Sequence, residues 1–316
     1  MLMAISPSGL LTEPVVWITG ANGLIGSYLV QTAPNASAGS AGFQPAGGLE
    51  SRRQDAGAPG LAIRALTRAD FDLLDFSKVE TEFLKARPQL LIHCAAISTV
   101  GDAQKNPEFA RRVNVAVTRF LAELAHDISF VFFSTDLVFD GCKGNYTETD
   151  ATNPLHVYGE TKLAAEAIVL KNPRHLVVRT SLNGGTSPSG QRAFNEQLRR
   201  SLREAGQGMT LFTDEFRCPI PAVETARAVW DLAQQRCAGL YHVAGAEKLS
   251  RLEIGKLLLK RWPEIHTPIK SGLAKDFPGP PRALDTSLDV GKAQAVLNRP
   301  LPKFSAWLAA NPQECF

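Results

Sequence analysis

The segment that decides the fold is Pro14-Val-Val-Trp-Ile-Thr-Gly-Ala-Asn-Gly-Leu-Ile-Gly26. Its β-branched and aromatic start predicts a short buried strand, and the residues after Gly26 predict a helix. Gly20 suits the tight turn between them, Gly23 lets the backbone approach a pyrophosphate, and Gly26 permits close helix–strand packing. The helix N-terminus would offer N–H groups and a partial positive charge to phosphates. The spacing G-x-x-G-x-x-G favours a dinucleotide-binding loop over a merely tight strand–helix turn.

The next two strands add predicted cofactor contacts. Leu61–Leu66 predicts the second strand, at whose end an acidic residue would hold the ribose hydroxyls of NAD. The nearby charges are instead Arg64 and Arg68, which favour the 2′-phosphate of NADP. NADP(H) is therefore the preferred cofactor, with NAD(H) as the alternative. Asp75 follows at a position suited to the adenine, and the small residues that end the strand Gln89–Ala96 would let the cofactor lie close.

Tyr158 and Lys162 predict proton-transfer chemistry. Four residues apart on a predicted helix, they share one face. An ordinary Tyr, with a pKa near ~10, transfers protons poorly at neutral pH, and a neighbouring ammonium favours the phenolate. We therefore expect Lys162 to lower the pKa of Tyr158. A hydroxyl from Ser134 or Thr135, at the end of the predicted strand Phe130–Thr135, would bind the same substrate oxygen, as carbonyl–alcohol chemistry requires.

Strand and helix patterns alternate through the first half of the chain, which predicts a parallel sheet covered on both faces. The expected fold is α/β, a Rossmann-type doubly wound parallel sheet with a smaller C-terminal α/β substrate lobe. Residues 1–182 would form the NAD(P)-binding Rossmann domain, with 222–245 returning to it. Residues 183–221 and 246–316 would form the substrate-binding lobe, and substrate would lie in the crevice between the two. Low-complexity composition marks 33–60 as a flexible surface insertion.

The composition is that of an ordinary globular protein. The 316 residues carry a net charge of +3, and 21% of them are charged. No basic stripe indicates nucleic acid, and no apolar run approaches the ~20 residues that cross a bilayer. Residues 1–14 lack the pattern of a secretory signal. Five scattered cysteines without a C-x-x-C pair predict free thiols, no metal site and a cytoplasmic location. His93, at a strand end, is interpreted as structural rather than as a ligand.

With these residues in place, the chain resembles the extended short-chain dehydrogenase/reductase superfamily and, within it, the dTDP-4-dehydrorhamnose reductase family. The most specific stretch is Ser134-Thr-Asp-Leu-Val-Phe-Asp-Gly141, followed by Tyr146-x-Glu-x-Asp150 and Tyr158-Gly-Glu-Thr-Lys162. Later blocks resemble the family at Arg179-Thr-Ser181 and between Arg282 and Asp289. The similarity extends over nearly the whole chain outside the insertion.

The resemblance implies an oxidoreductase of nucleotide-sugar metabolism, which reduces a 4-keto group on a nucleotide-activated 6-deoxysugar with NADPH or NADH. It implies Thr135 as the catalytic hydroxyl, Tyr158 as the proton donor and Lys162 as the holder of the nicotinamide ribose. The implied cofactor contacts are Gly20, Asn22, Gly23, Leu24, Ile25, Gly26, Arg68, Asp75, Phe76, Ala95, Ala96, Tyr158 and Lys162. The implied substrate contacts are Ser134, Asp136, Arg217 and Arg282. The resemblance also allows a homodimer.

Departures from the family pattern leave other functions open. Leu137 stands where the family usually has Tyr, Leu182 where a Trp is common, and Arg217 where a small residue is common. These positions make dTDP-4-dehydrorhamnose one of several candidate substrates. A non-catalytic NADP-binding regulatory subunit, resembling the beta subunit of methionine adenosyltransferase, would keep the dinucleotide loop and act through a partner protein. An epimerase or a reductase of another nucleotide sugar would use the same three catalytic residues.

Overall fold

The computed structural model describes residues 14–34, 60–206, 208–276, 281–314 and 316. The predicted insertion at 33–60 falls almost wholly outside these ranges. The strands are β1 (Val15–Thr19), β2 (Ala62–Leu66), β3 (Leu90–His93), β4 (Ser129–Thr135), β5 (Leu176–Thr180), β6 (Asn183–Gly184), β7 (Met209–Phe212), β8 (Phe216–Arg217), β9 (Ile220–Pro221), β10 (Gly239–His242), β11 (Leu249–Ser250) and β12 (Ile269–Gly272). The α-helices are α1 (Leu24–Gln31), α2 (Phe76–Ala86), α3 (Val100–Lys105), α4 (Pro107–Arg111), α5 (Val117–Leu124), α6 (Val157–Val169), α7 (Phe194–Glu204), α8 (Ala222–Gln234), α9 (Arg251–Leu259), α10 (Gly291–Gln294) and α11 (Phe304–Ala310).

The central feature is a six-stranded parallel sheet with the strand order β10-β5-β4-β3-β1-β2. The chain runs outward from β1 to β2 and then crosses back to place β3 on the other side of β1. This reversal opens a crevice at the carboxyl ends of β1 and β3, where sheets of this kind bind ligands. The predicted α/β fold with a doubly wound parallel sheet is confirmed.

Apolar side chains cover both faces of the sheet, because its strands are continuous apolar runs rather than alternating ones. Consecutive residues point to opposite faces, so Trp17 and Ile18 of β1 enter different cores, as do Phe130 and Val131 of β4. One core packs against α1 and α8, and the other packs against α2, α5 and α6. Helices therefore fix the sheet from both sides and hold its carboxyl edge in place.

The residues after β5 build a further, smaller core. It contains Leu202, Leu258, Trp262 and Phe304, contributed by α7, by α9 and by the chain near the C-terminus. Three two-stranded pairs accompany it, namely β7 with β12, β8 with β11 and β6 with β9. By contrast, β10 is the edge strand of the large sheet and pairs in parallel with β5.

One helical run contains an irregular turn. A π-helical segment, Arg112–Ala116, separates α4 from α5. Such bulges are frequent at functional sites, because one extra residue in the turn redirects a side chain. None of the helices in the described part of the chain combines the length and the apolar character needed to cross a bilayer.

Candidate active site

The glycine-rich turn joins β1 to α1 directly against the chain that leaves β3. Gly20 has a φ of +69°, and a Cβ at this position would lie 2.7 Å from the backbone nitrogen of Ala95. A Cβ on Gly26 would overlap the carbonyl oxygen of Gly20. Only residues without a side chain fit these two positions, and this allows the ends of β1 and β3 to meet. Ala95 and Ala96 thus lie at the switch point of the sheet.

The N-terminus of α1 fits the phosphates of a dinucleotide. Gly23 is the N-cap and supplies no side-chain hydrogen bond to the first turn, whose N–H groups have no acceptor within the helix. Asn22 is exposed beside the turn, Ile25 is partly buried, and Leu24 is buried beneath it. A pyrophosphate bound here would therefore be met by backbone N–H groups and the positive end of the helix dipole.

Arg68 lies in the exposed turn that follows β2. Asp70 fixes this turn by accepting hydrogen bonds from the backbone N–H and the hydroxyl of Thr67, each at 2.8 Å. Arg64 points elsewhere, since its guanidinium lies 3.9 Å from the carboxylate of Glu82 on α2. Both arginines near the end of this strand are exposed, and Arg64 is already engaged by Glu82.

Asp75 and Phe76 begin α2, at the end of the helix nearest the carboxyl edge of the sheet. Asp75 is the N-cap, and its Oδ1 accepts a hydrogen bond of 3.0 Å from the backbone N–H of Lys78. Phe76 is 36% exposed and stacks on Phe120 of α5, with ring centroids 4.5 Å apart. The structure thus gives Asp75 a helix-capping role and leaves Phe76 as an accessible aromatic surface.

The three predicted catalytic residues come together at the carboxyl end of β4. Thr135 ends the strand, Tyr158 lies in the first turn of α6, and their side chains interact. Lys162 follows one turn later, is 4% exposed, and places its Nζ 4.0 Å from the centroid of the Phe132 ring. The Thr135 hydroxyl also donates to Oδ1 of Asp136 at 3.2 Å. A tyrosine, a hydroxyl and a buried cation are therefore neighbours.

Burial sets the protonation states of the two titratable members of this group. It raises the pKa of Tyr158 to about 12, which the interaction with Thr135 opposes and the charge of Asp136 reinforces. The expectation that Lys162 lowers the pKa of Tyr158 below its ordinary value is therefore wrong for this structure, because burial outweighs the opposing effect of Thr135. Burial also lowers the pKa of Lys162 to about 7. At neutral pH Tyr158 carries its proton, and Lys162 is near the midpoint of its titration.

Ser134 does not face this group, and its prediction as a substrate contact is corrected. Successive strand residues point to different sides, so Ser134 and the neighbouring Thr135 diverge. Ser134 is 3% exposed, and its hydroxyl donates to Oε1 of Glu166 on α6 at 2.5 Å. Glu166 also accepts two hydrogen bonds from Arg179 of β5. Ser134 therefore supports a buried ion pair.

Asp136 and Arg217 are also occupied within the protein. Oδ2 of Asp136 accepts hydrogen bonds from Ser181 at 2.7 Å and from Thr286 at 2.9 Å, and it lies 3.8 Å from Nε of Arg217. Arg217 is 7% exposed, and one of its amino groups donates to the carbonyl oxygen of Phe216 at 2.7 Å. Their polar atoms are used in this way to shape the site, and the expectation that the two residues contact substrate directly stays a prediction.

Arg282 is the predicted substrate residue that remains accessible. Its side chain is 44% exposed and lies 3.4 Å from the buried carboxylate of Glu215. The same carboxylate pairs with Arg217 at 3.3 Å and with Arg251 at 3.4 Å. Burial, and then the charges of Arg282 and Arg217, lower the pKa of His156, the N-cap of α6. Three guanidinium groups around one carboxylate thus place net positive charge close to the start of this helix.

The family of the chain follows from comparison with known proteins. A family model described as the RmlD substrate binding domain matches residues 15–314. The chain belongs to the RmlD substrate-binding domain family. The predicted resemblance to dTDP-4-dehydrorhamnose reductases is thereby confirmed.

The relatives of this RmlD-family chain include reductases that cover most of it. A probable low-salt glycan biosynthesis reductase from Haloferax volcanii is 30% identical over 300 residues, covering 93% of this chain and 96% of the relative. A dTDP-4-dehydrorhamnose reductase from Sinorhizobium fredii is 31% identical over 238 residues, covering 71% and 79%. Among solved structures, dTDP-4-dehydrorhamnose reductase from Bacillus anthracis in complex with NADP has the same fold, with a TM-score of 0.78, 22% identity, and coverage of 95% and 98%.

The sequence analysis did not identify Asn114, whose hydrogen bonds hold two segments of the site together in this RmlD-family chain. Asn114 is 1% exposed, and its amide makes two hydrogen bonds with the backbone of Ile97, at 2.8 and 3.1 Å. It also donates to the hydroxyl of Thr161 at 3.0 Å. These bonds join the chain that leaves β3 to α6, next to Lys162. An amide within an otherwise apolar helix face was the available signal, since buried polar groups need partners.

Proposed function

We propose that the chain is an NAD(P)H-dependent reductase that converts the 4-keto group of a nucleotide-activated deoxysugar to an alcohol. The observation that carries this proposal is the placement of Thr135, at the carboxyl end of β4, beside Tyr158 in the first turn of α6, one helical turn from the buried Lys162. These side chains lie at the carboxyl edge of the sheet that also carries the glycine-rich turn. They comprise the orienting hydroxyl, the proton donor and the cation that carbonyl reduction requires.

The proposed chemistry divides the work among the three residues. When bound, a reduced nicotinamide supplies a hydride for the carbonyl carbon. Tyr158, protonated at neutral pH, donates its hydroxyl proton to the carbonyl oxygen as that oxygen becomes an alcohol. The Thr135 hydroxyl binds the same oxygen and orients it. The Lys162 ammonium stabilises the phenolate left on Tyr158, so its contribution exists only while Lys162 is protonated.

NADP(H) is the proposed cofactor, with NAD(H) as the alternative. The backbone around Gly20, Gly23 and Gly26 would hold the pyrophosphate, and Ala95 and Ala96 would lie against the cofactor at the switch point. The exposed guanidinium of Arg68 would pair with a 2′-phosphate, which NAD lacks. Phe76 would add an aromatic surface, and Asp75 an adenine contact. Tyr158 and Lys162 would hold the nicotinamide ribose.

The proposed substrate is anionic, as every nucleotide diphosphate sugar is. Arg282 and Arg251 are partly exposed, and with Arg217 they outnumber the two carboxylates that pair with them, those of Glu215 and Asp136. A diphosphate bound beside them would meet charge-assisted hydrogen bonds. In this arrangement residues 1–182 and 222–245 hold the cofactor, and residues 183–221 and 246–316 hold the nucleotide sugar.

The test is loss of NADPH absorbance with a panel of nucleotide-4-keto-6-deoxysugars. We expect turnover with at least one member, and the member turned over identifies the sugar and the nucleotide. Binding of NADPH without turnover of any member would contradict the proposal. That result would favour the alternative of a regulatory subunit resembling the beta subunit of methionine adenosyltransferase, which should copurify with a partner protein. Conversion of a nucleotide sugar without net cofactor consumption would instead indicate an epimerase.

A homodimer is a further part of the proposal. A groove of about 510 Å³ lies between α6 and the helical run that contains α4 and α5. Its lining combines short apolar side chains with both signs of charge, as a self-complementary interface requires, and comprises Glu108, Arg111, Arg112, Val115, Ala116, Arg119, Glu160, Thr161 and Ala164. Sedimentation velocity should give the mass of two chains; a monomer at micromolar concentration would contradict the dimer.

A cytoplasmic location completes the proposal. The four cysteines in the described part of the chain, Cys94, Cys142, Cys218 and Cys237, are free thiols. Unpaired cysteines are typical of reducing compartments. Fractionation of cells that express the protein should recover it with cytoplasmic markers, and recovery with a secreted or membrane fraction would contradict this assignment.

A further inference from the structure

A buried carboxylate lies one helical turn beyond Lys162 on α6. Glu166 and Lys162 are four residues apart, so they occupy the same face of the helix. Side chains on a helix tilt toward its N-terminus, which brings the Glu166 carboxylate back toward the turn that carries Lys162. Glu166 is 1% exposed and Lys162 is 4% exposed, so water screens little of the attraction between them.

Three hydrogen bonds fix the Glu166 carboxylate in place. Arg179 donates through Nε at 2.9 Å and through a terminal amino group at 2.7 Å, and Ser134 donates through its hydroxyl at 2.5 Å. Arg179 and Ser134 are register partners on β5 and β4, so the sheet itself fixes both donors. The ion pair with the Arg179 guanidinium therefore holds a carboxylate at this position.

The other groups that face Lys162 are uncharged at neutral pH. Burial raises the pKa of the Cys94 thiol, which follows β3, and it lowers the pKa of His93 to about 3. Tyr158, on the same helix, is protonated as well. Arg179 is the nearby cation on β5, and Glu166 pairs with it. The negative charge that acts on the Lys162 ammonium is therefore that of Glu166, whose attraction opposes the effect of burial on the pKa of Lys162.

We propose that Glu166 is a positioning residue for the reaction: its carboxylate, fixed by Arg179 and Ser134, extends to higher pH the range over which the buried Lys162 stays protonated. The inference rests on the proposed function for its catalytic consequence, but the protonation of Lys162 can be measured without turnover. Loss of the Glu166 charge would leave two buried cations, Lys162 and Arg179, without an anion between them. Lys162, whose proton can leave, would then be neutral at the working pH.

The test compares Glu166→Gln with Ser134→Ala. The first variant keeps the shape of the carboxylate and removes its charge, whereas the second removes one hydrogen bond and keeps the charge. NMR of 13Cε-labelled lysines, with the Lys162 signal assigned through Lys162→Arg, reports the titration directly. In Glu166→Gln we expect the Lys162 titration, and with it the basic limb of kcat/KM, to move to lower pH by about one unit or more. In Ser134→Ala, and in the charge-preserving Glu166→Asp, both should stay close to the native position.

Each outcome decides the inference. An unshifted Lys162 titration in Glu166→Gln, or an equal shift in Ser134→Ala, would overturn it and leave Glu166 a purely structural partner of Arg179. If Glu166→Gln does not fold, Glu166→Gln combined with Arg179→Met removes the unpaired cation as well, and the same shift of Lys162 is expected. Absence of turnover in the native protein would defeat the proposed reductase, while the NMR titration would still decide the role of Glu166.

Discussion

At the scale of single residues, burial rather than pairing governs the titratable groups of the site. Tyr158 keeps its proton because the protein around it disfavours the phenolate, and Lys162 titrates near neutrality because the same surroundings disfavour the ammonium. A reduction needs both protons in place, one to be given to the substrate and one to stabilise the resulting phenolate. The pair is thus prepared for the reduction direction at and below neutral pH.

Arg68→Ala tests the preference for NADP. Arg68 is an exposed arginine just after β2, and a charge-assisted pair with a phosphate is worth about 1.5–3 kcal/mol. We expect the Kd of NADPH to rise by about tenfold or more and that of NADH to change little, as measured by fluorescence titration. Arg64→Ala is the matched control, since Arg64 pairs with Glu82, and it should affect the two cofactors equally. Equal weakening of both cofactors by Arg68→Ala would reject the role of Arg68.

His93 predicts an acid-sensitive stability. His93 is 1% exposed and its Nδ1 lies 2.7 Å from the Thr19 hydroxyl, while its Nε2 is buried and has no hydrogen-bond partner among the described residues. Burial lowers its pKa to about 3 from an ordinary value of 6.5. Between these values the unfolded chain binds a proton that the folded chain does not, so stability falls as pH falls.

The measurement is urea unfolding of the native protein and of His93→Asn at pH 6.5 and pH 5. Over this interval, protonation of His93 in the unfolded chain lowers the free energy of unfolding of the native protein by about 2 kcal/mol. The variant has no imidazole at this position, so between pH 6.5 and pH 5 the native protein should lose more stability than the variant by this amount. Equal acid losses in the two proteins would show that His93 is accessible to protons in the folded state.

The residue scale also shows what sequence could not supply. Sequence predicted the positions of Thr135, Tyr158 and Lys162 from the end of a strand and from a spacing of four residues on a helix. Both features are local, so they do not depend on contacts with distant parts of the chain. The hydrogen bond of Ser134 to Glu166, by contrast, belongs to a buried group that includes Arg179 of the neighbouring strand. The pairing of these two strands is set by the tertiary fold, so the sequence around Ser134 does not reveal it. The direction of the Tyr158 pKa likewise depends on the amount of protein around it, which spacing does not determine.

At the scale of elements, the turn between β1 and α1 has little room for any side chain. Gly26→Ala would drive a Cβ into the backbone of Gly20 and Ala21, which cannot move away as a flexible side chain can. We expect a loss of about 1–3 kcal/mol in the free energy of unfolding, together with weaker NADPH binding. Gly101→Ala in α3 is the control, since no described atom lies within 4 Å of its added Cβ.

The control variant, Gly101→Ala, should be as stable as the native protein or more stable by up to about 1 kcal/mol, because Ala favours the helix more than Gly does. Urea denaturation of the two variants beside the native protein gives both numbers. A Gly26→Ala protein as stable as Gly101→Ala, with unchanged NADPH affinity, would show that this turn is looser than its geometry indicates.

The positions of the strands and helices were the part of the structure that the sequence predicted best. The strands predicted at 61–66 and 130–135 are β2 and β4, each within one residue of the predicted bounds. Continuous apolar runs and amphipathic spacing are local properties, so they can be seen before folding. The π-helical segment at Arg112–Ala116 could not be predicted, because its extra residue is stabilised by contacts of Asn114 with Ile97 and Thr161, which are distant in sequence.

At the scale of the whole molecule, one buried carboxylate ties distant parts of the chain to the site. Glu215 is 4% exposed and pairs with Arg217 in β8, with Arg251 at the start of α9 and with Arg282 near the C-terminal end. Arg217 continues the network to Asp136, beside Thr135. The residues proposed to hold the nucleotide are in this way connected to the residues proposed to reduce the sugar.

Glu215→Gln should therefore destabilise the protein strongly. Removal of one partner from a buried ionic network leaves uncompensated charge, which costs about 3–5 kcal/mol. Glu264→Gln is the matched control, since Glu264 pairs with Arg203 at 3.1 Å on an exposed surface and should contribute nothing measurable. Thermal and urea unfolding check both variants. Equal stabilities of the two variants would mean that Glu215 is not the centre of the network.

The measurement that tests the central claim most directly is single-turnover reduction by the native protein and by Tyr158→Phe. Both would be loaded with NADPH and mixed with the 4-keto sugar that the panel identifies. The account predicts that Tyr158→Phe binds NADPH within a few-fold of the native Kd and reduces the sugar at least ~10²-fold more slowly, since it lacks the proton donor. Near-native reduction by Tyr158→Phe would contradict the assignment of Tyr158 and, with it, the proposed mechanism.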